Sequence, residues 1–314
     1  MVDVAKLQKE FEELANTTTS DISAIIKSEV FAKLIVEEAT KGRLLAGVIA
    51  ASQEDLSKGD GDTVKVRVFP KIAVAQTAEG AANEAAAYKP FASTVTINRY
   101  SVTVPVTAES LYEASVDLQA QIVSAIAKGW ADKMDEVIVS KLDLGAATET
   151  SYKPAAKATL ASAGDLSDVY EKIKDARDEL RKKGWKPDIL VCGYDVAQQL
   201  IAEYESNLNR KVIQVDEDGN LKSVYGLKVI VTPFAPAVDD TADAVIAVVL
   251  DSSVAVVEAR GMPAKFEEKR EPEYDLYKEV FNAYWGVDVV KADLDGDTTA
   301  EAIGIAQICN PSGA

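Results

Sequence analysis

Histidine is absent from this 314-residue chain. That removes Ser-His-Asp and Cys-His catalysis, histidine-ligated zinc and iron, and the imidazole pH switch. Cysteine is scarce. Cys192 and Cys309 stand alone with no CxxC pair, so there is neither a zinc site nor a disulfide framework to assemble. Both read as buried thiols in a reducing compartment, and Cys192 sits in the apolar run Ile189-Leu190-Val191-Cys192 as a packing residue. Long apolar runs are missing as well: no stretch of about 18 residues suits a membrane span. Met1 to Glu13 mixes acids, lysines and apolar residues and lacks the apolar stretch of a signal peptide. The protein is expected to be made, and to stay, in a cytoplasm. Neither a Walker-type GxxxxGK loop nor GxGxxG occurs, so nothing nominates a nucleotide, and no cofactor is expected.

What is plentiful is acid. Asp+Glu number 51 against 34 Lys+Arg, a net charge of −17. Such a charge repels phosphate backbones and anionic lipid, which argues against duplex binding and against a membrane partner. The hydrophobic fraction of 47% supports a real core and excludes global disorder. The length allows about two domains, or one elaborate domain.

Along the chain, Val4, Leu7, Phe11 and Leu14 predict a short helix over 3–15, and Val30, Phe31, Leu34 and Ile35 a second over about 28–40. Together, 1–45 reads as an arm that packs on something else. Residues 62–106 alternate with period two, through Val64, Val66, Val68, Ile72 and Val74, then Val95, Ile97, Tyr100, Val102, Val104 and Val106. The apolar phase switches at Asn98-Arg99, which predicts a bulge or bend. Between the two strands lies the small-residue tip Ala78 to Ala85. A two-stranded arm is marginal alone in water, so something outside must cover it.

Leu111, Leu118, Ile122, Ile126, Trp130, Met134, Val137 and Ile138 predict a helix over 107–143, about 55 Å long and stopped by Gly145. An α/β pattern follows. A helix capped by Asp165 ends at Gly184, Ile189–Cys192 is a strand, and a helix covers about 195–205. Beyond the polar loop Ser206 to Arg210, a hairpin turns at Asp216–Gly219, Val229–Val231 is a strand, and two strands cover Val245–Leu250 and Val254–Val257. Further β segments fall near 274–290 and 302–308.

Few constellations suggest chemistry. Asp216-x-Asp218-Gly219-Asn220 and Asp293-x-Asp295-Gly296-Asp297 open like calcium loops, but Leu221 and Thr298 replace the required Gly, and Leu227 and Gly304 the required Glu. Both read as turns. Glu267, Glu268, Lys269, Arg270 and Glu271 read as a solvated, salt-bridged face. Tyr274, Tyr277, Phe281, Tyr284 and Trp285 read as core or interface anchors.

The stretch Thr94-Val95-Thr96-Ile97-Asn98-Arg99-Tyr100-Ser101-Val102-Thr103-Val104-Pro105-Val106-Thr107-Ala108-Glu109-Ser110-Leu111 leads from a long hairpin into a long helix, and Tyr225-Gly226-Leu227-Lys228-Val229-Ile230-Val231-Thr232-Pro233 forms a later Gly-containing strand. In this order of elements the chain resembles the major capsid proteins of tailed phages and related archaeal viruses, the Hong Kong 97-type shell fold. The resemblance implies an α+β chain with five parts: an N-terminal arm (1–61), an extended β-hairpin loop that lies across a neighbour (62–106), a peripheral domain with a spine helix (107–164), an axial domain (165–243), and returning peripheral strands (244–314). It implies a structural, non-enzymatic protein that self-assembles into pentamers and hexamers of an icosahedral shell around double-stranded DNA. The implied partners are the chain itself, a separate scaffolding protein and a portal. It would assemble in the host cytoplasm and reside in the virion.

The candidate inter-subunit contacts are Phe69, Pro70, Lys71, Tyr88, Lys89 and Phe91 on the extended loop, Asn207 and Asn209 in the axial loop, and Tyr284 and Trp285 in the late aromatic run. Some family members join a loop Lys to an Asn of a neighbour. Lys65, Lys71, Lys89 and Asn282 are available here, but the spacing selects no pair and no crosslink is expected. Two alternatives stand beside this reading. One is an encapsulin-type nanocompartment shell with the same fold. The other is a histidine-free carboxylate hydrolase, which requires a deep pocket with two facing acids.

Overall fold

A computed structural model of the chain describes residues 20–53, 63–68, 91–107, 109, 118–145, 152–206, 212–216, 220–238, 241–271, 276–292 and 301–311. These fall into two compact units. The smaller takes Met1–Arg43, Asn98–Lys133 and Gly261–Trp285; the larger takes Leu44–Ile97, Met134–Arg260 and Gly286–Ala314.

The described helices are α1 (Ser20–Gly42), α2 (Leu118–Lys141), α3 (Val169–Lys182) and α4 (Tyr194–Ser206). The first five strands are β1 (Ile49–Gln53), β2 (Thr63–Val68), β3 (Phe91–Thr96), β4 (Asn98–Thr107) and β5 (Ala156–Thr159). β6 (Ile189–Cys192), β7 (Ile213–Val215), β8 (Leu221–Val224), β9 (Leu227–Val231) and β10 (Val245–Leu250) follow. The last are β11 (Val256–Arg260), β12 (Lys265–Glu271), β13 (Leu276–Val289), β14 (Lys291–Ala292), β15 (Glu301–Ala302) and β16 (Ile305–Cys309).

The core of the larger unit is a seven-stranded mixed sheet in the order β5-β16-β10-β6-β9-β8-β7. Every residue of β6 and of β10 is buried, which is why both appear in the sequence as unbroken apolar runs. Helix α3 packs on the sheet through Val169, Ile173, Ala176 and Leu180, spaced to line one helical face. Asp165 does cap, but it caps a short 3₁₀ turn before α3, accepting from the Ser167 amide at 3.0 Å. β8 and β9 join through Tyr225 and Gly226, with φ of 52° and 80°. Two positive φ values define the turn that matches strand twist, so Gly226 sits in the turn rather than in the strand. Strands β5, β10 and β16 come from outside 165–243, so that segment does not build its sheet alone.

In the smaller unit, β4, β13 and β12 form an antiparallel ladder. β13 lies in the middle, with Leu276–Trp285 opposite Thr107–Asn98 and Leu276–Asn282 opposite Glu271–Lys265. α1 packs on β12, where Phe31 meets Phe266 with ring centroids 5.6 Å apart. β12 was not legible as a strand because Lys265–Glu271 carries one apolar residue among charges. Charged edge strands of this kind resist edge-to-edge pairing.

Four sequence expectations change. Tyr100, Val102, Val104 and Val106 do not return along the arm: β3 pairs with β2 and ends at Thr96, whereas β4 pairs with β13. The phase switch at Asn98-Arg99 therefore marks a change of partner, one residue after Ile97. The long helix does not begin at Thr107, which ends β4. Its described part is Leu118–Lys141, 24 residues or about 36 Å, and Leu111 lies outside the described residues. Gly145 does not stop it, because it ends at Lys141, and Gly145 instead lies against Pro236. The strand expected from Val254 begins at Val256, because Asp251–Val254 is a turn in which the buried Asp251 accepts from the Ser253 amide at 3.1 Å. The predicted helix over 3–15 lies outside the described residues.

Another buried carboxylate organises the start of the larger unit. Asp135 is 2% exposed and accepts from the amides of Leu44 (2.7 Å) and Leu45 (3.2 Å), which open the 3₁₀ turn Leu45–Val48. Asp135→Ala would strand one buried and one part-buried amide, so its urea midpoint should fall by the equivalent of about 2 kcal/mol. An unchanged midpoint would remove this role.

Candidate assembly surface

The hairpin β2–β3 is rooted in the larger unit's interior. Val64 and Val95 are register partners, 4% and 0% exposed. They pack in a cluster with Val257, Ala259, Val290 and Ile303. Gly286 lies so close to β3 that a Cβ there would stand 2.1 Å from the Thr96 carbonyl oxygen. Val68 and Phe91 face each other at the far end of the ladder, so the chain between them leaves and returns at one place.

Within the smaller unit, β4 and α2 flank an open groove of about 520 Å³. Its walls are Tyr100, Val102 and Val104 from β4, Ile122, Ala125, Ile126, Gly129 and Trp130 from α2, and Phe281 from β13, with Ser101 and Lys133 as the polar members. Among the described residues no carboxylate lines it. An aromatic cluster forms the floor: Trp130 lies 5.1 Å from Tyr100, 6.2 Å from Phe281 and 6.1 Å from Trp285 between ring centroids. Val102 remains 40% exposed, one of few large apolar side chains left in water among the described residues. β4 pairs only with β13 among the described strands, and no described strand takes its other edge. Pro105, which cannot donate to a ladder, sits within this edge strand.

The candidate contact residues divide. Phe69, Pro70, Lys71, Tyr88, Lys89, Asn207 and Asn209 lie outside the described residues. Phe91 opens β3, its backbone opposite Val68. Tyr284 is half-buried in β13. Trp285 is corrected: at 2% exposure its ring packs inside its own unit, where Tyr100 and Trp130 surround it and the Arg43 guanidinium lies 5.5 Å above the ring. It is an anchor of its own unit's core. The sequence does not show the groove: its apolar residues read as an arm and a helix, and alternation within each does not reveal that the two face each other.

The other constellations are structural. Glu267, Glu268, Lys269 and Arg270 are exposed on β12, and Lys269 stands 3.7 Å from Glu267. Cys192 and Cys309 are both fully buried, and burial pushes each thiol up to about 12, far from a reactive thiolate. Among the described residues no group of acids or thiols could hold a metal ion. No described helix is long and apolar enough to cross a membrane. Asn282 accepts two hydrogen bonds from the Arg99 guanidinium, at 3.2 and 2.7 Å.

A family model described as phage capsid protein matches residues 90–300, more than half of the chain. The chain belongs to the phage capsid protein family. It is a structural capsid protein, and its fold is the Hong Kong 97-type. The capsid of an empty GTA particle, computed with C5 symmetry, matches with a TM-score of 0.63 at 13% identity, covering 86% of this chain and 90% of that one. The capsid of the cyanophage P-SCSP1u matches with a TM-score of 0.60 at 12% identity, over 85% and 87%. The mature capsid of bacteriophage PhiM1 gives 0.55 at 11% identity, over 84% and 86%. Among curated proteins none matches the sequence. The family match favours neither the nanocompartment nor the hydrolase alternative.

Proposed function

We propose that this capsid protein assembles through pentamers and hexamers into an icosahedral virus shell around double-stranded DNA. A separate scaffolding protein and a portal are its partners, and it passes from the host cytoplasm into the virion. The groove between β4 and α2 carries the reading. A capsid protein that leaves an aromatic-floored groove in water, beside a strand with one edge untaken by any described strand, is incomplete as a single chain. Covering such apolar surface is worth about 25 cal/mol per Å². A closed symmetric shell supplies the covering chain from a copy of itself. Residues 69–90, between the paired Val68 and Phe91, would lie across a neighbour, with Phe69, Pro70, Lys71, Tyr88 and Lys89 as contacts. Asn207 and Asn209 would then meet their copies around the axes of the rings. The net charge of −17 keeps packaged DNA from sticking to the wall.

The test is to purify the full chain, alone and co-expressed with a scaffolding protein, and to view it by size-exclusion chromatography and negative-stain microscopy. Shells, or rings of five and six, are expected. A compact monomer that persists with and without the scaffold overturns the reading.

A further inference from the structure

Strand β13 alternates between half-buried and buried positions from Lys278 to Trp285. Tyr277, Glu279, Phe281, Ala283 and Trp285 share one face, and all but Tyr277 are buried. Glu279 is the acid among them. It is 2% exposed, and its Oε2 is buried with no hydrogen-bond partner. Its register partner on β4 is Val104, which brings no polar group. Its register partner on β12 is Glu268, a second carboxylate. Residues directly opposite in an antiparallel ladder hold their Cβ atoms about 4.5–5.5 Å apart, within reach of each other's carboxyl groups.

The charged residues on the surrounding elements are engaged elsewhere or exposed. On β12, Arg270 lies over the Tyr277 ring at 5.6 Å. On β4, Arg99 donates to Asn282. On α1, which packs on β12, Glu29, Lys33 and Glu37 are exposed and Glu38 accepts from Ser124; side chains before Glu29 lie outside the described residues. On α2, Lys128, Asp132 and Lys133 are exposed. None of these donates to Glu279 Oε2. A buried carboxylate in this position is unfavourable when charged, and a like charge opposite makes it more so.

We propose that Glu279, buried opposite Glu268, makes the β12–β13 ladder pH-sensitive: a proton taken from water by Glu279 lets its neutral carboxyl sit on the buried face, and returning that proton to water leaves a buried carboxylate facing the Glu268 side chain. Burial first, and then the Glu268 charge, raises the Glu279 carboxyl to about 7 from an ordinary 4.5. The sign follows from linkage. The folded state binds this proton more tightly than the unfolded chain, so its stabilising effect is full below 4.5 and disappears as the pH rises through about 7. This property belongs to the single chain and does not depend on what the chain assembles into.

The experiment measures urea midpoints of the full-length protein from about pH 4 to about pH 9 for wild type, Glu279→Gln and Glu268→Gln. Other groups titrate too, so the difference between wild type and each variant is the quantity read. Wild type should lose stability relative to Glu279→Gln between pH 4.5 and about 7. Glu268→Gln, at an exposed position, should fold normally and move that loss to lower pH. Carboxyl ¹³C titration of glutamate-labelled protein should show one resonance with its midpoint near 7, absent in Glu279→Gln. Parallel stability curves for wild type and Glu279→Gln overturn the proposal. If Glu279→Gln does not fold, a Glu268→Gln curve that superimposes on wild type overturns it equally.

Discussion

Gly286→Ala is expected to destabilise the larger unit by about 3 kcal/mol or more, the upper end of overpacking costs. The added Cβ would stand 2.1 Å from the Thr96 oxygen and 2.9 Å from its carbonyl carbon. No real Cβ contact is that short, and the obstructing atoms are backbone, so no rotamer change relieves them. The strand that must move is β3, whose Val95 is 0% exposed in the cluster with Val257 and Ile303. Relief therefore pulls a buried valine out of register with Val64. The expected readouts are a lower urea midpoint and loss of assembled particles. Gly129→Ala is the control for the urea midpoint alone, because Gly129 lines the groove: that glycine lies within α2, and an added Cβ meets nothing within 4 Å. It should gain up to about 1 kcal/mol from helix propensity. Equal midpoints for Gly286→Ala and wild type would mean that the close approach at Thr96 does not hold the hairpin.

Val102→Glu is expected to abolish assembly while leaving the isolated chain folded. Val102 is 40% exposed in the wall of the β4–α2 groove, so a glutamate there stays solvated in the free chain. Once a neighbour covers the groove, the same carboxylate is desolvated with Lys133 as the sole cation in the lining. The free chain should keep its midpoint within about 0.5 kcal/mol, the usual range for surface substitutions. Sedimentation should show no shells under conditions where wild type forms them. Normal particles from Val102→Glu would show that the groove is not an assembly surface, even if the chain still builds a capsid by other contacts.

Much of this fold was legible from apolar spacing. The fully buried runs of β6 and β10 and the helical stripe of α3 were each visible, because one residue type fills one structural face. Pairing was not visible. Val64–Val68 and Tyr100–Val106 share a period, yet the first belongs with β3 and the second with β13, because period two records a pleat and not a partner. The groove stayed hidden for the same reason: Val102 and Ile122 become neighbours only after the sheet and helix pack. Glu279 did leave a trace. With Phe281 and Trp285 setting the parity, an acid two positions before Phe281 falls on the buried face. Reading the 274–290 segment as aromatic anchors alone passed over it.

The facing of Val68 and Phe91 also bears on how such a chain can diversify. Residues 69–90 begin and end at one rung of a ladder whose other end is sealed by Val64 and Val95. Doubling the length between those rungs adds only about 0.6 kcal/mol of closure entropy. Such a chain can lengthen or shorten this stretch at little cost while the Val64–Val95 foundation stays as it is.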